Sequence, residues 1–137
     1  MSGENVEIVR RVIAANRSGP QEETLEIVLS LSDPAVEFRS RITAVEGSDY
    51  VGHAGIRQYH DDMADAFRAW RNDPDEIVEV SPNAILVDSV FHATGKDSGM
   101  EVELRSALVF VLSEGKVVRC LSYPTRAEAL EAAGLSE

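Results

Sequence analysis

The chain has 137 residues, 44% of them hydrophobic and 27% charged, which is typical of a globular protein able to bury one core. Its formal net charge of −11 argues against nucleic acid as a partner, because phosphates require clustered Lys and Arg. No apolar run approaches the roughly 18–20 residues of a membrane span, and the acidic, polar N-terminus does not resemble a secretory signal. The single cysteine, Cys120, allows no internal disulfide and no cysteine-based metal site, and it favours a reducing, cytoplasmic compartment. The sequence therefore predicts one cytoplasmic domain over 1–137, and we expect no metal and no cofactor.

The first third of the chain predicts two helices and a strand. Apolar residues at helical spacing predict helices over 4–18 and 21–31. Asp33–Pro34 breaks the second helix, and alternation of polar and apolar residues then predicts a strand over 35–41. Residues 43–52 contain two glycines and are predicted as a loop.

The strongest helical pattern covers 53–71. One face of this helix carries Ile56, Tyr59, His60, Met63, Ala66, Phe67 and Trp70. Arg57 and Asp61 lie off that face at the spacing of an i,i+4 ion pair, and Asp62 and Asp65 are interpreted as solvated neighbours. Asp73–Pro74 is predicted to end the helix.

The second half of the chain predicts four strands and a short helix. The strands are expected at 76–81, 84–94, 100–113 and 116–123, and the turns between them are short, including Glu114–Gly115. Such connections predict a largely antiparallel sheet. A helix over 125–133 should end at Gly134. The predicted fold class is α+β, with a curved, mostly antiparallel sheet wrapped round three helices and an internal pocket.

Four segments give the chain a family resemblance: D33-P-A-V-E-F, Y50-V-G-H-A-G-I-R-Q-Y, L108-V-F-V-L-S-E-G-K-V and Y123-P-T-R-A-E-A-L-E-A-A-G-L. In this order and spacing, over roughly 5–134, they resemble the SnoaL-like branch of the nuclear transport factor 2-like superfamily. The resemblance implies an α+β cone with a pocket between its concave sheet face and its helices. It also implies a homodimer through the convex sheet face. Members include ketosteroid isomerases, polyketide cyclases and limonene-epoxide hydrolases, so the fold alone does not assign a reaction.

The catalytic groups of these enzymes are not found at the matching positions. The ketosteroid isomerase base and acid positions align with Phe38 and Ala107, and Asn16 is the nearest polar candidate for the isomerase tyrosine. The Asp–Arg–Asp set of the epoxide hydrolases aligns with Ser89, Phe91 and Ser122. The alignment also offers no inward carboxylate for cyclase chemistry.

His60 remains the best catalytic candidate. It borders the apolar helix face that the resemblance turns toward the pocket, and an imidazole can act as a general base or hold a ligand carbonyl. The alternative is a core-edge histidine bonded to backbone. His53 is expected to cap a helix or reach the pocket mouth, and His92 to face the dimer side. The three histidines do not have a metal-ligand spacing.

The predicted pocket is mostly aromatic and apolar, with a few polar or charged residues. The predicted lining is Phe38, Tyr59, His60, Met63, Trp70, Phe91, Arg105 and Ser122. Glu101, Glu103 and Arg105 share the strand face of Ala107, which the alignment turns inward, so Glu103 and Arg105 could form an acid–guanidinium pair at the rim; the default interpretation is a solvated edge. Arg39 and Arg41 could attract an acidic ligand but are interpreted as surface charge. Tyr123 could offer a hydroxyl or pack beneath the last helix.

Three functions stay open. The preferred one is binding of a small hydrophobic or aromatic molecule without a standard catalytic set. The second is an isomerase, cyclase or hydrolase that uses His60 as acid–base with Tyr59 or Arg105 as electrophilic partner. The third is a dimeric interaction module whose cone is filled by its own side chains.

Overall fold

The computed structural model describes residues 2–15, 18–19, 22–40 and 49–132. Within these residues there are four helices: α1 (Ser2–Ala15), α2 (Glu22–Ser30), α3 (Gly52–Ala66) and α4 (Arg126–Ala132). The strands are β1 (Ser18–Gly19), β2 (Ser32–Arg39), β3 (Tyr50–Val51), β4 (Phe67–Ser81), β5 (Ala84–Gly95), β6 (Glu101–Ser113) and β7 (Lys116–Tyr123). The α+β class and the predicted meander of long strands are confirmed.

The strands form one curled, unclosed sheet in the order β1-β4-β5-β6-β7-β2-β3. All pairs between described strands are antiparallel except β2 with β7, so the predicted mostly antiparallel sheet is confirmed. The predicted tight turn between the last two strands is also present. Glu114 and Gly115 both have positive φ, at 52° and 77°, as a two-residue type I′ hairpin requires.

The predicted helix over 53–71 is wrong in its last five residues, 67–71, which begin β4. Phe67 has extended backbone angles (φ −128°, ψ 138°), although its N–H still donates to the Met63 carbonyl. Trp70 then lies opposite Ala93 on β5. The apolar spacing continues past the helix end, but hydrogen bonding to β5 outweighs that local pattern.

Pro74 lies within β4, where the sequence predicted a break. The described part of β1 pairs with β4 only at Trp70 and Arg71, so Pro74 has β5 as its described neighbour. A proline is tolerated on such an edge because no partner strand requires its N–H. The register with β5 shifts between Pro74 and Glu76, which accommodates the proline as a bulge.

Smaller differences occur at the other element ends. The first helix is described as far as Ala15, residues 16–17 lie outside the described residues, and Ser18, predicted as helical, instead pairs with Arg71 in β1. The first predicted strand begins earlier than residue 35, at Ser32. The predicted loop over 43–52 is wrong at its end, where Tyr50–Val51 forms β3 and Gly52 begins α3. Residues 43–48 of that loop lie outside the described residues, as do Asn16, Arg41 and Gly134.

Two apolar clusters fill the concave side of the sheet. The larger joins α1 and α2 to the sheet and includes Val9, Val28, Ile85 and Phe110. The smaller lies where α3 meets β4 and β5 and contains Met63, Trp70, Phe91 and Ala93. The concave face is therefore the one that α1, α2 and α3 cover.

A third cluster lies on the opposite, convex face, where α4 packs. Its buried residues are Leu86, Ala107, Val109 and Ala129, with Tyr123 partly buried against them. Tyr123 thus packs beneath the last helix, one of its two predicted roles. No helix in the described part of the chain is long and apolar enough to cross a membrane.

Candidate functional site

A cavity lies between the concave face of the sheet and helices α1, α2 and α3. Its volume is about 110 Å³. The helical wall carries Val12, Ile13, Val28, Ile56, Tyr59 and His60. The apolar part of the sheet wall carries Val36, Phe38, Trp70, Val87, Phe91, Leu104, Leu108, Phe110, Val117 and Cys120.

Most of the predicted pocket residues line this cavity together. They are Phe38, Tyr59, His60, Trp70, Phe91 and Ser122. Met63 lies one layer behind, only 1% exposed and packed in the cluster with Trp70 and Phe91. It supports the wall without lining it.

Arg105 lies on the other side of the sheet from the cavity. Its guanidinium is exposed and donates a 2.7 Å hydrogen bond to Asp75. This bond raises the pKa of Arg105. The residues of β6 that face the cavity are Leu104, Ser106, Leu108 and Phe110. The expectation that Ala107 and Arg105 face inward is therefore wrong. Alternation did not reveal this because β6 is buried on both faces, with Ala107 and Val109 beneath α4.

A row of small polar residues crosses the inner sheet face, and of its members the sequence predicted only Ser122 as part of the pocket. This polar band consists of Ser40, Asn72, Ser89, Ser106 and Ser122, all of which line the cavity. Ser89 on β5 lies directly opposite Ser106 on β6. Asn72 on β4 is the diagonal neighbour of Ser89, and Ser122 on β7 is the diagonal neighbour of Ser106. The signal was hidden because each strand contributes one residue and only the pairing register brings them together.

Tyr59 is the best-positioned hydroxyl on the helical wall. Burial raises the pKa of the Tyr59 hydroxyl to about 12, although its hydrogen bond with Ser40 acts in the opposite direction. The group is therefore a neutral phenol at pH 7, suited to hydrogen bonding and not to ionisation. Its ring packs edge-on against Phe38, with the centroids 4.6 Å apart, and this contact fixes its orientation.

His60 lines the cavity beside Tyr59, with ring centroids 5.7 Å apart. Burial lowers the pKa of His60 below its ordinary value of 6.5, and the nearby Asp61 offsets part of this change. A neutral imidazole can both accept and donate a hydrogen bond. Of the partners expected for His60, the structure brings Tyr59 to the same cavity and places Arg105 on the other face of the sheet.

The other two histidines lie away from the cavity wall. His53 Nε2 lies 3.0 Å from the Ser32 carbonyl oxygen, so its imidazole joins α3 to the start of β2. His92 is on the convex face, 3.4 Å from Asp73. Among the described residues, no cluster of three or more His, Cys, Asp or Glu could hold a metal ion.

Charged groups near the site are paired on the protein surface. Arg57 binds Glu26 on α2 at 3.2 Å, so its predicted pairing with Asp61 is replaced by a contact between helices. Arg39 binds Asp49 at 3.0 Å. Neither cation belongs to the cavity lining.

The model of the SnoaL-like domain family matches residues 9–120 of the chain, which are most of its length. The chain belongs to the SnoaL-like domain family. No match was found among curated proteins.

Solved structures similar to this SnoaL-like domain share its cone fold at low sequence identity. An NTF2-like protein from Burkholderia pseudomallei is 21% identical with a TM-score of 0.75, covering 93% of this chain and 95% of its own. A putative SnoaL-like polyketide cyclase from Jannaschia sp. is 16% identical with a TM-score of 0.70, covering 98% and 94%. A Mycobacterium tuberculosis protein, in complex with estradiol-17β-hemisuccinate, is 19% identical with a TM-score of 0.72, covering 90% and 95%.

Proposed function

We propose that this SnoaL-like protein binds one small hydrophobic or aromatic molecule in the cavity beneath its helices. The observation that carries the proposal is the cavity itself, whose wall combines aromatic and aliphatic side chains with a few polar groups. Natural small-molecule sites have this composition. The M. tuberculosis neighbour, in complex with estradiol-17β-hemisuccinate, supports small-molecule binding by a protein of this fold.

A homodimer through the convex sheet face and a cytoplasmic location belong to the same proposal. Both are inferred from the family resemblance and from composition. Light scattering at micromolar concentration measures the first, and a monomer would contradict it.

Ligand-induced stabilisation tests the binding function. A molecule that binds only the folded state raises the melting temperature by mass action, by an amount that grows with its concentration. Trp70 is the single tryptophan and lines the cavity, so its fluorescence reports directly on occupancy. A panel of one- and two-ring compounds should contain members that change both signals together.

A variant with a filled cavity provides the control. Ser106→Leu places a larger side chain in the cavity wall, whereas Ser113→Leu makes the same change at an exposed position of the same strand. Binding should be lost in the first variant and retained in the second. If no compound in the panel binds the unmodified protein, the binding function is wrong and the interaction-module hypothesis gains support.

His60 and Tyr59 favour an enzyme as the second candidate, because both reach the same cavity. In that case His60→Gln would abolish turnover of a bound compound while leaving its binding and the fold intact. A variant with full turnover would remove His60 from the mechanism.

A further inference from the structure

The cavity has two chemically different walls. The helical wall is largely aliphatic, through residues such as Val12, Val28 and Ile56. The sheet wall carries the polar band, whose centre is the directly opposed pair Ser89 and Ser106. These two serines are 4% and 9% exposed, so their surroundings are the cavity and the protein interior.

The described residues that line the cavity carry no formal charge at neutral pH. None is Asp, Glu, Lys or Arg, and the titratable members are Tyr59, His60 and Cys120. Burial raises the pKa of both Tyr59 and Cys120 to about 12 and lowers that of His60. An ionised ligand would therefore lose its hydration without gaining a counter-charge from this lining, which is costly in a site of low dielectric.

The volume limits the size of the ligand. An engineered apolar cavity of roughly 150 Å³ holds benzene. The cavity here is smaller, at about 110 Å³, so one ring is the most that it accepts without rearrangement. Side chains with several rotamers, such as Leu104, set how far this limit can be extended.

We propose that the cavity selects an uncharged single-ring molecule with a hydrogen-bonding edge, of the amide or carbonyl class, and discriminates against carboxylates of the same shape. This inference rests on the proposed binding function and specifies its ligand. The polar edge of the ligand lies against the polar band, where serine hydroxyls and the Asn72 amide both donate and accept. Its apolar face lies against the helices.

Three compounds of equal size and different polarity separate the possibilities. Benzamide is neutral with a polar edge, benzoate is its anionic counterpart, and isopropylbenzene matches them in size without polar atoms. Affinities are measured at pH 7.5 by Trp70 fluorescence and by calorimetry. Benzamide should bind most tightly, and benzoate at least about tenfold more weakly because its charge must be desolvated.

The double variant Ser89→Ala/Ser106→Ala identifies the polar partner. It should weaken benzamide binding about threefold to tenfold, the loss expected for neutral hydrogen bonds, and leave isopropylbenzene binding unchanged or stronger. Ser113→Ala, at an exposed position of the same strand, is the matched control and should change neither affinity. If the double variant does not fold, the ranking of the three compounds on the unmodified protein decides.

The experiment separates the selectivity of the cavity from its ability to bind a ligand at all. Benzoate or isopropylbenzene binding as tightly as benzamide would overturn the selectivity while leaving ligand binding intact. An unchanged benzamide affinity in the folded double variant would overturn the role of the polar band. If none of the three compounds binds but other members of the wider panel do, the selectivity is wrong and the binding function stands. If no compound of either set binds, both proposals are wrong.

Discussion

Tyr50, on the two-residue strand β3, donates a 2.6 Å hydrogen bond from its hydroxyl to Asp62 on α3. Gln58 donates a second, 2.8 Å bond to the other carboxylate oxygen. These bonds lower the pKa of Asp62, with the Tyr50 bond the larger cause. The Tyr50 ring also contacts the Phe38 and Tyr59 rings, so the bond holds an aromatic group against the cavity wall.

Asp62→Asn should therefore lower the free energy of unfolding at pH 7 by about 0.5–1 kcal/mol, the usual contribution of a partly exposed hydrogen bond. Because the pKa of Asp62 is lower in the folded state, its stabilisation is present above the unfolded pKa and is lost as pH falls through the folded one. The difference between the variant and the unmodified protein should shrink accordingly in denaturant titrations carried into the acid range. The control is Asp65→Asn, an exposed change on the same helix that should have little effect at either pH.

His60 should make the protein less stable in mild acid. Its pKa is lowered in the folded state, so below about pH 6.5 the unfolded chain takes up a proton more readily and the free energy of unfolding falls. Above that pH both states are neutral and His60 contributes no pH dependence. His60→Gln should reduce the loss of stability as the pH is lowered from neutral through this range.

An NMR titration of the histidine ring protons checks the cause of that effect. His60 should titrate below 6.5. A His60 pKa at or above that value would contradict the explanation, and His92→Gln on the convex face should leave the His60 titration unchanged.

Met63→Ala should be among the most destabilising single substitutions in the described chain. Met63 is 1% exposed and packs against Trp70 and Phe91, so its removal leaves a void behind the cavity wall. The expected loss is about 2–5 kcal/mol, from transfer and cavity terms together. Thermal and urea unfolding measure it; Met100→Ala, at a side chain 68% exposed, is the control that should stay close to the unmodified protein.

Gly115→Ala should cost about 1 kcal/mol although the added methyl group meets no neighbouring atom. Gly115 has φ 77°, and a Cβ atom added to it would have no other heavy atom within 4 Å, so the cost is purely conformational. Gly3→Ala, in helix α1 with equally open surroundings, should instead be neutral or slightly stabilising because alanine favours helices. Equal effects of the two substitutions in urea unfolding would show that the hairpin turn does not require its left-handed residue.

The long strands and their turns were predictable because their signals are local. The Glu114–Gly115 turn, the alternation over 35–41 and the end of the second helix before Asp33–Pro34 each depend on a few neighbouring residues. The boundary between α3 and β4 was not predictable in this way. Trp70 fits the helical stripe by spacing, and only its pairing opposite Ala93 places it on a strand.

The site was predictable in its aromatic part but only in some of its polar part, where His60 and Ser122 were expected and the central serines were not. Phe38, Tyr59 and Phe91 stand out in the sequence because they are large and periodically spaced. Ser89 and Ser106 are far apart along the chain and become neighbours only through the register of β5 with β6. The inward face of β6 was also ambiguous, because α4 buries the residues on its other face.

The direct passage from α3 to β4 makes the two walls of the cavity one mechanical unit. Tyr59 and His60 lie on the helix, Trp70 lies on the strand, and no loop separates Ala66 from Phe67. A guest that pushes the helix outward must therefore pull on the outer edge of the sheet. Occupancy at the centre of the molecule should be detectable in the amide hydrogen exchange of the part of β4 beyond Trp70 and Asn72, whose residues do not line the cavity.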